Sequence, residues 1–281
     1  MNFLLTNDDG VTAPGLWAAA SALAELGRVL VVAPSGNCSG FGAAYPPGQS
    51  LSFFPYSNGA DHPAGVVAFG VNAMPATCAH VGLSGLFGFE HIDLVVSGVN
   101  EGANMGRDVF YSGTVGAALT AHFLGKPAIA FSLAVEPSSR PCWETTRHIV
   151  RQVVMMWRDE AQLCNSPEHT APLLYNVNVP NRDTAALRGL RLTGLSTHSF
   201  LPAGRFERAA ERPDDQTTYM LIRRLHTAAR PGHELWSDAW AVEQDYVSIT
   251  PLRPTHNTLS ADWWGSPATL LQAEQHYAAA R

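Results

Sequence analysis

Several things are scarce in this 281-residue chain. Lys126 is the only lysine, so the remaining cations are arginines, and formal net charge is −6. That balance gives no electrostatic footing for a nucleic-acid backbone. Cysteine is limited to Cys38, Cys78, Cys142 and Cys164, scattered and with no CxxC pair. This excludes a thioredoxin-like motif and a thiolate zinc site of ordinary spacing, and it is too few for a disulfide scaffold. No apolar run approaches the roughly 20 residues that a membrane-crossing helix needs. No basic-then-apolar leader opens the chain, since acids arrive at residue 8. The expectation is a cytoplasmic protein. A GxGxxG turn after the first strand is also missing, which disfavours dinucleotide binding. No internal repeat or low-complexity tract is present. With 46 % hydrophobic residues, the chain has ample material for a full core.

The chain is organised around its first ten residues, MNFLLTNDDG. Phe3, Leu4 and Leu5 form a continuous apolar run, as in a strand buried on both faces. Asn7, Asp8, Asp9 and Gly10 stop it. Two adjacent carboxylates at a buried strand end repel one another and resist desolvation. A hard cation such as Mg²⁺ or Mn²⁺ would relieve both costs. The same four residues also make an ordinary Asx turn. The stretch by itself leaves both readings open.

A helix is expected from about Pro14 to Leu26, then a strand over Arg28 to Ala33, completing a βαβ unit with a right-handed crossover. Leu51 to Val71 carries β-like fragments without clear order. A helix over Ala76 to Phe87, a buried strand over Ile92 to Ser97, a helix from Thr114 to Leu124 and a strand over Ala128 to Leu133 follow. The alternation predicts an α/β fold: a mostly parallel, Rossmann-like sheet with helices on both faces. Further on, Trp143 to Trp157 reads as a helix. Leu173 to Val179, Leu190 to Leu195, Thr217 to Leu225 and Asp245 to Pro251 read as strands, and Pro267 to Ala280 as a last helix. Pro202 to Gln216 is polar and suits a loop or hairpin arm. The whole is read as a single domain, with a core at about 1–180 and 241–281 and an extension carrying a protruding β-hairpin arm at about 181–240.

Three strand ends carry oxygen-bearing loops: Asp8 and Asp9, then Ser39 in SGNCSG, then Ser97 and Asn100 in SGVNEGANMG. In open parallel sheets ligands bind beyond the carboxyl ends of the strands, where strand order reverses. Two carboxylates, a hydroxyl and an amide carbonyl make one hard-cation donor set. Ser112, Gly113 and Thr114 then open a helix whose free N–H groups and dipole favour a phosphate. Ser112 or Thr114 also has the chemistry of a simple N-cap. A dication beside an anion cradle suggests phosphoryl chemistry.

TNDDG with a following PG, the SG of SGNCSG, and SGVNEGANMGRDVFYSGTVGAA closely resemble the survival protein E (SurE) family of metal-dependent nucleotidases. LLYNVNVP and YVSITPL resemble its later motifs, so the resemblance spans most of the chain. It implies a Rossmann-like core, an arm exchanged between subunits, homodimers or homotetramers, and hydrolysis of nucleoside monophosphates with one divalent cation per subunit. Carried over by position, Asp8, Asp9, Ser39 and Asn100 are metal ligands. Gly40, Asn104, Ser112, Gly113 and Thr114 face the phosphate, and Asp8, Asp9 and Asn104 serve catalysis. The chain departs from the family at Gly36, Asn37 and Cys38, where a basic or polar segment is usual. It departs again in a GTP-x-D-C stretch, where Ala73 replaces the glycine and Thr77 the aspartate. The metal ligands are untouched, so a specialised nucleotide substrate is expected.

Two other mechanisms fit parts of the pattern. A haloacid-dehalogenase-type phosphatase needs a nucleophilic aspartate where this chain has Asn7, and an amide cannot serve. A nucleotide-binding regulator without turnover would keep the cradle. The eleven histidines suggest no ligand cluster. His80 and His122 fall on helices as core or surface residues. Trp236 and Trp240 read as packing rather than as a base pocket. Of Arg223 and Arg224, at most one would face a site, because strand side chains alternate. Phe41 to Gly48 is the candidate for a mobile loop.

Overall fold

The computed structural model describes residues 1–136, 139–163, 173–198, 205–208, 219–222 and 234–253. The chain divides into two units, Met1–Pro251 and Leu252–Arg281. The first holds every element described below; the helix expected over Pro267 to Ala280 lies outside the described residues. Its strands are β1 (Asn2–Thr6), β2 (Arg28–Pro34), β3 (Phe53–Pro55), β4 (Val66–Val71), β5 (Leu94–Glu101), β6 (Ala128–Ala134), β7 (Leu174–Pro180), β8 (Leu190–Leu192), β9 (Arg205–Arg208), β10 (Tyr219–Ile222) and β11 (Val247–Pro251). Nine of them form one sheet in the order β3-β4-β2-β1-β5-β6-β7-β11-β8, while β9 and β10 pair separately as an antiparallel ribbon. The six strands from β4 to β7 in this order run parallel. β3 is antiparallel to β4, and β11 antiparallel to β7.

β1 sits at the middle of the parallel block because it is apolar on both faces. Phe3, Leu4 and Leu5 are fully buried, and Leu5 pairs with Val31 on one side and Val96 on the other. Several readings of element length change: the helix expected over Trp143 to Trp157 runs on to Leu163, and the strand expected over Leu190 to Leu195 ends at Leu192. The unordered stretch before Val71 contains β4, which pairs with β2 from Val29 to Pro34, and the short edge strand β3. β5 starts later than Ile92 and runs on to Glu101, through glycines that look like a loop; its partner β6 supplies the ladder, with a register break between Ser97 and Asn100. The helix expected to reach Phe87 ends at Gly82.

The helices are α1 (Pro14–Ala24), α2 (Pro75–Gly82), α3 (Gly113–Phe123), α4 (Trp143–Leu163) and α5 (Asp238–Glu243). α1 packs on α4, and α2 on α3, so the two pairs form layers on opposite faces of the sheet. α1 and α2 are on opposite faces because β1→β2 and β4→β5 travel in opposite directions along the sheet. The β6→β7 step travels as β5→β6 does, yet α4 lies in α1's layer rather than α3's. The two crossovers therefore have opposite hands, and the β6–α4–β7 connection is an exception to the right-handed rule. Ile149, Val150, Val153, Val154 and Trp157 hold α4 there, in one apolar cluster with Leu16, Trp17 and Val177. Glu25 also meets Arg147 and Arg151 at 3.3 and 3.1 Å. Those pairs are half-exposed and add little.

The packing of α1 on α4 and the sheet is therefore expected to carry the architecture. Leu16 has no exposed surface and lies in this apolar cluster. Leu16→Ala should cost about 2–5 kcal/mol in urea unfolding, the usual range for a buried leucine. A loss within error of zero would show that this layer is not part of the cooperative core.

Candidate metal and phosphate site

From β1 the chain goes out through β2 to β4 on one side, then crosses to β5 and continues through β6 to β7 on the other. The reversal falls between β1 and β5, which is where a doubly wound sheet opens a crevice at its carboxyl edge. Thr6 pairs with Ser97 across it. The TNDDG turn leaves β1 there. Asn7 donates its side-chain amide to the Gly10 carbonyl at 2.9 Å, and its Oδ1 accepts from Gly10 N at 3.2 Å. Gly10 has φ +104°, a conformation open to glycine and strained for other residues. The Asx turn is thus made by Asn7, which leaves Asp8 and Asp9 for other work.

Asp8 is buried, and Thr114 donates its hydroxyl to Asp8 Oδ1 at 2.5 Å. A Cβ on Gly113 would lie 2.7 Å from Asp8 Cβ, so only glycine lets the start of α3 come this close. Burial raises the Asp8 carboxyl above the usual range, against hydrogen bonds from the Thr114 side chain and the backbones of Thr114 and Gly113. Asp9 is half-buried. Its Oδ2 accepts from Glu101 N at 3.2 Å and its Oδ1 from Asn37 Nδ2 at 3.4 Å. Burial first, and then the charge of Asp8, push Asp9 up to about 6; the Ser39 hydroxyl opposes this. The carboxylate pair therefore has hydrogen bonds but still favours added positive charge.

Ser39 is placed beside Asp9 by Asn37, whose Oδ1 accepts from Ser39 N at 2.9 Å. Asn100 follows the register break in β5; its Nδ2 donates to the Gly102 carbonyl at 2.7 Å, which leaves Oδ1 as the acceptor on the other side of the amide. Asp8, Asp9, Ser39 and Asn100 offer only oxygens, the donor type that Mg²⁺ and Mn²⁺ take. Among the described residues no three His, Cys, Asp or Glu side chains come together. A cation here would therefore depend on the hydroxyl and amide oxygens as well as the two carboxylates.

The glycine-rich stretch lies over α3. Ser112 caps it, its Oγ accepting from Val115 N at 3.1 Å. Gly40 has φ +84°, and the loop beyond it is tied down where Gly42 N donates to the Tyr111 carbonyl at 3.1 Å. The segment expected to be mobile, Phe41 to Gly48, therefore has its first residues fixed against the start of α3. Asn104 is buried and held on every side. Its N donates to Asn178 Oδ1 at 2.8 Å, its carbonyl accepts from Asn176 and Asn178, and its Nδ2 donates to Ser132 Oγ at 2.8 Å.

Asn37, Ser132, Asn176, Asn178 and Asp238 are the residues that the sequence reading missed. The NVN of LLYNVNVP was a usable signal: two asparagines with strand spacing on one face of a buried strand need partners. Asp238 accepts from Gly106 N at 2.9 Å and gave no comparable signal. Of the histidines on helices, His80 stacks on Tyr45 at 5.2 Å, and His122 is buried on α3. Trp236 and Trp240 pack together at 5.6 Å, with Arg191 over the Trp236 ring. Thr77 and Ala73 are buried at α2, where Thr77 Oγ1 has no hydrogen-bond partner among the described residues. Arg223 and Arg224 lie outside the described residues.

Residues 3–201 match the family model of survival protein SurE. Curated relatives called 5'-nucleotidase SurE are 37 % identical: from Acinetobacter baylyi over 90 % of this chain and 93 % of its own, and from Legionella pneumophila over 90 % of each. Another, from Pseudomonas entomophila, is 37 % identical over 90 % of this chain and 92 % of its own. The crystal structure of the SurE protein from Aquifex aeolicus superposes with a TM-score of 0.71 at 30 % identity, covering 98 % of this chain and all of that one. The family model and these relatives cover most of the chain, and the chain belongs to the SurE family.

Proposed function

We propose that this chain is a metal-dependent phosphomonoesterase that hydrolyses nucleoside monophosphates to nucleoside and phosphate. The observation that carries the reading is the pair Asp8 and Asp9, set at the strand-order reversal against the first turn of α3. The curated relatives' name, 5'-nucleotidase, supports the substrate class.

Asp8, Asp9, Ser39 and Asn100 would hold one divalent cation, Mg²⁺ or Mn²⁺. Such an ion, when bound, supplies Lewis-acid polarisation and lowers the pKa of a ligated water. The chain's own groups do the rest. Asp9, the more exposed carboxylate, orients the attacking water and takes its proton, with Asp8 held still by Thr114. Gly40, Ser112, Gly113 and Thr114 steady the phosphoryl oxygens through backbone N–H groups and the Ser112 hydroxyl near the helix start, and Asn104 through the Nδ2 hydrogen that its bond to Ser132 leaves over. Attack by water is direct. The position that a phospho-enzyme would need is Asn7, fully buried with both amide atoms bonded to Gly10. We assign the working form to homodimers or homotetramers. We also assign it to the cytoplasm, which suits three described cysteines that are all free. No helix among the described residues is long and apolar enough to cross a membrane. The replacements at Ala73 and Thr77 are proposed to narrow the nucleotide range.

Phosphate release from a panel of nucleoside monophosphates should require Mg²⁺ or Mn²⁺ and vanish with EDTA. Tight nucleotide binding with no release under either metal would instead identify a regulator. Asp9→Asn should lose activity by at least on the order of 100-fold, the scale of a lost general base, with the fold kept; near-normal turnover would remove Asp9 from this role. Gly113→Ala should also lose activity, because its Cβ meets Asp8, and circular dichroism should show the fold intact.

Asp9 also predicts a pH dependence in the metal-free protein. Its folded pKa, about 6, is above the ordinary 3.8. Protons are therefore bound more tightly in the folded state, and Asp9's contribution to stability is greatest below about pH 4 and is lost as pH rises through about 6. In EDTA, Asp9→Asn should unfold at a higher temperature than wild type at pH 7–8, and the gap should close by pH 4. A gap that does not change with pH would mean that Asp9 is not strained by burial.

A further inference from the structure

Asp238 is the first residue of α5, far in sequence from every motif of the site. It has no exposed surface, and its carboxylate receives three backbone N–H groups from three places. Oδ2 accepts from Gly106 N at 2.9 Å, in the glycine-rich stretch before α3. Oδ1 accepts from Ser196 N at 2.9 Å and from Ala239 N at 2.8 Å. Around it, Asp238 N donates to the Gly194 carbonyl, Gly194 N to the Trp236 carbonyl, and Arg107 N to the His198 carbonyl. One buried anion thus joins the loop over the phosphate cradle to the segment 194–198, which leads towards β9 and β10.

We propose that Asp238 is a positioning residue that locks the glycine-rich loop in its phosphate-holding form and couples that loop to the segment 194–198. The hydrogen-bond count gives the reason. Both oxygens of Asp238 are in use as acceptors, and only an ionised carboxylate offers two acceptor oxygens with no proton. An amide offers one. In Asp238→Asn, either Gly106 N or the Ser196 and Ala239 pair must face an NH₂ group, donor against donor, in a dry site. Gly106 is two residues from Asn104, whose opposite side is fixed to β7 by Asn176 and Asn178. Asp238 is thus the second of two anchors on this stretch. The proposed metal ligands Asp8, Asp9, Ser39 and Asn100 make no hydrogen bond to Asp238 and meet the glycine-rich stretch at its other end, at Glu101 and Gly102, so the anchor at Gly106 is expected to act on the cradle without moving them. The inference rests on reading the loop as a phosphate cradle.

Two measurements test it on the intact chain. The first compares wild type and Asp238→Asn by nucleotidase kinetics, inhibition by inorganic phosphate, and Mn²⁺ binding by calorimetry. We expect kcat to fall and phosphate inhibition to weaken by about 10–100-fold, the range for a lost hydrogen bond to a charged group, with Mn²⁺ affinity unchanged. Unchanged kcat and phosphate inhibition, or a parallel loss of Mn²⁺ binding, would overturn the assignment. The second measurement needs no variant. Hydrogen exchange on Mn²⁺-loaded wild type, with and without inorganic phosphate, should show phosphate slowing Gly106, Ser196 and Ala239 together. Phosphate bound without protection at Ser196 and Ala239 would overturn the coupling. Failure of wild type to bind phosphate would overturn the cradle reading, and this proposal with it.

Discussion

The structure depends on burying one carboxylate, Asp8, at the centre of a parallel sheet and answering it with the first turn of a helix. Asp8 is nearly inaccessible, and it takes the Thr114 hydroxyl and the approach of Gly113. A charged group in such a place needs hydrogen bonds that favour the charged form, because solvation by water is gone. That requirement fixes how the start of α3 meets the end of β1 while its body packs on β5 and β6. It also fixes Asp9, which cannot retreat and is left between Asp8 and the exposed rim. The strain of two neighbouring acids is thus built into the fold, and an oxygen-seeking cation is the simplest group that relieves it.

Around that pair, the chain uses polar side chains in dry places as fasteners. Asn7 closes its own turn. Asn176, Asn178 and Ser132 hold Asn104, and Asp238 holds Gly106. A buried amide or carboxylate makes several directed bonds at once and is costly when any is missing. Such groups position a loop more sharply than apolar packing does. This matters for a stretch so rich in glycine, which has little side-chain packing to define its path. The left-handed β6–α4–β7 connection takes α4 out of α3's layer, so the β7 asparagines meet the glycine-rich stretch rather than the helix of their own crossover.

Local patterning was enough for most of the scaffold. The apolar run at Phe3 to Leu5 placed β1, and the alternation of strands and helices gave the parallel sheet with a reversal of strand order. The Asp8–Asp9 pair and the Ser112–Gly113–Thr114 helix start were legible because each combines residue types that are unfavourable or special where they stand. β5 was cut short because Gly98, Val99 and Asn100 read locally as a loop, whereas pairing with β6 carries the strand to Glu101. α5 was missed because six residues leave too short a pattern. Its Ser237 cap, accepting from Trp240 N, is visible only once the turn is formed.

By itself, the sequence determined the fold class, the central strand and the acid pair, because burial periodicity and the cost of adjacent carboxylates are properties of short segments. Only the tertiary structure decided which groups meet those segments. Thr114 faces Asp8, 106 residues away, and Asp238 faces Gly106, 132 residues away. It also decided that α4 crosses to α1's side. These outcomes depend on strand order and on which layer a helix covers, and no local window of residues carries that information.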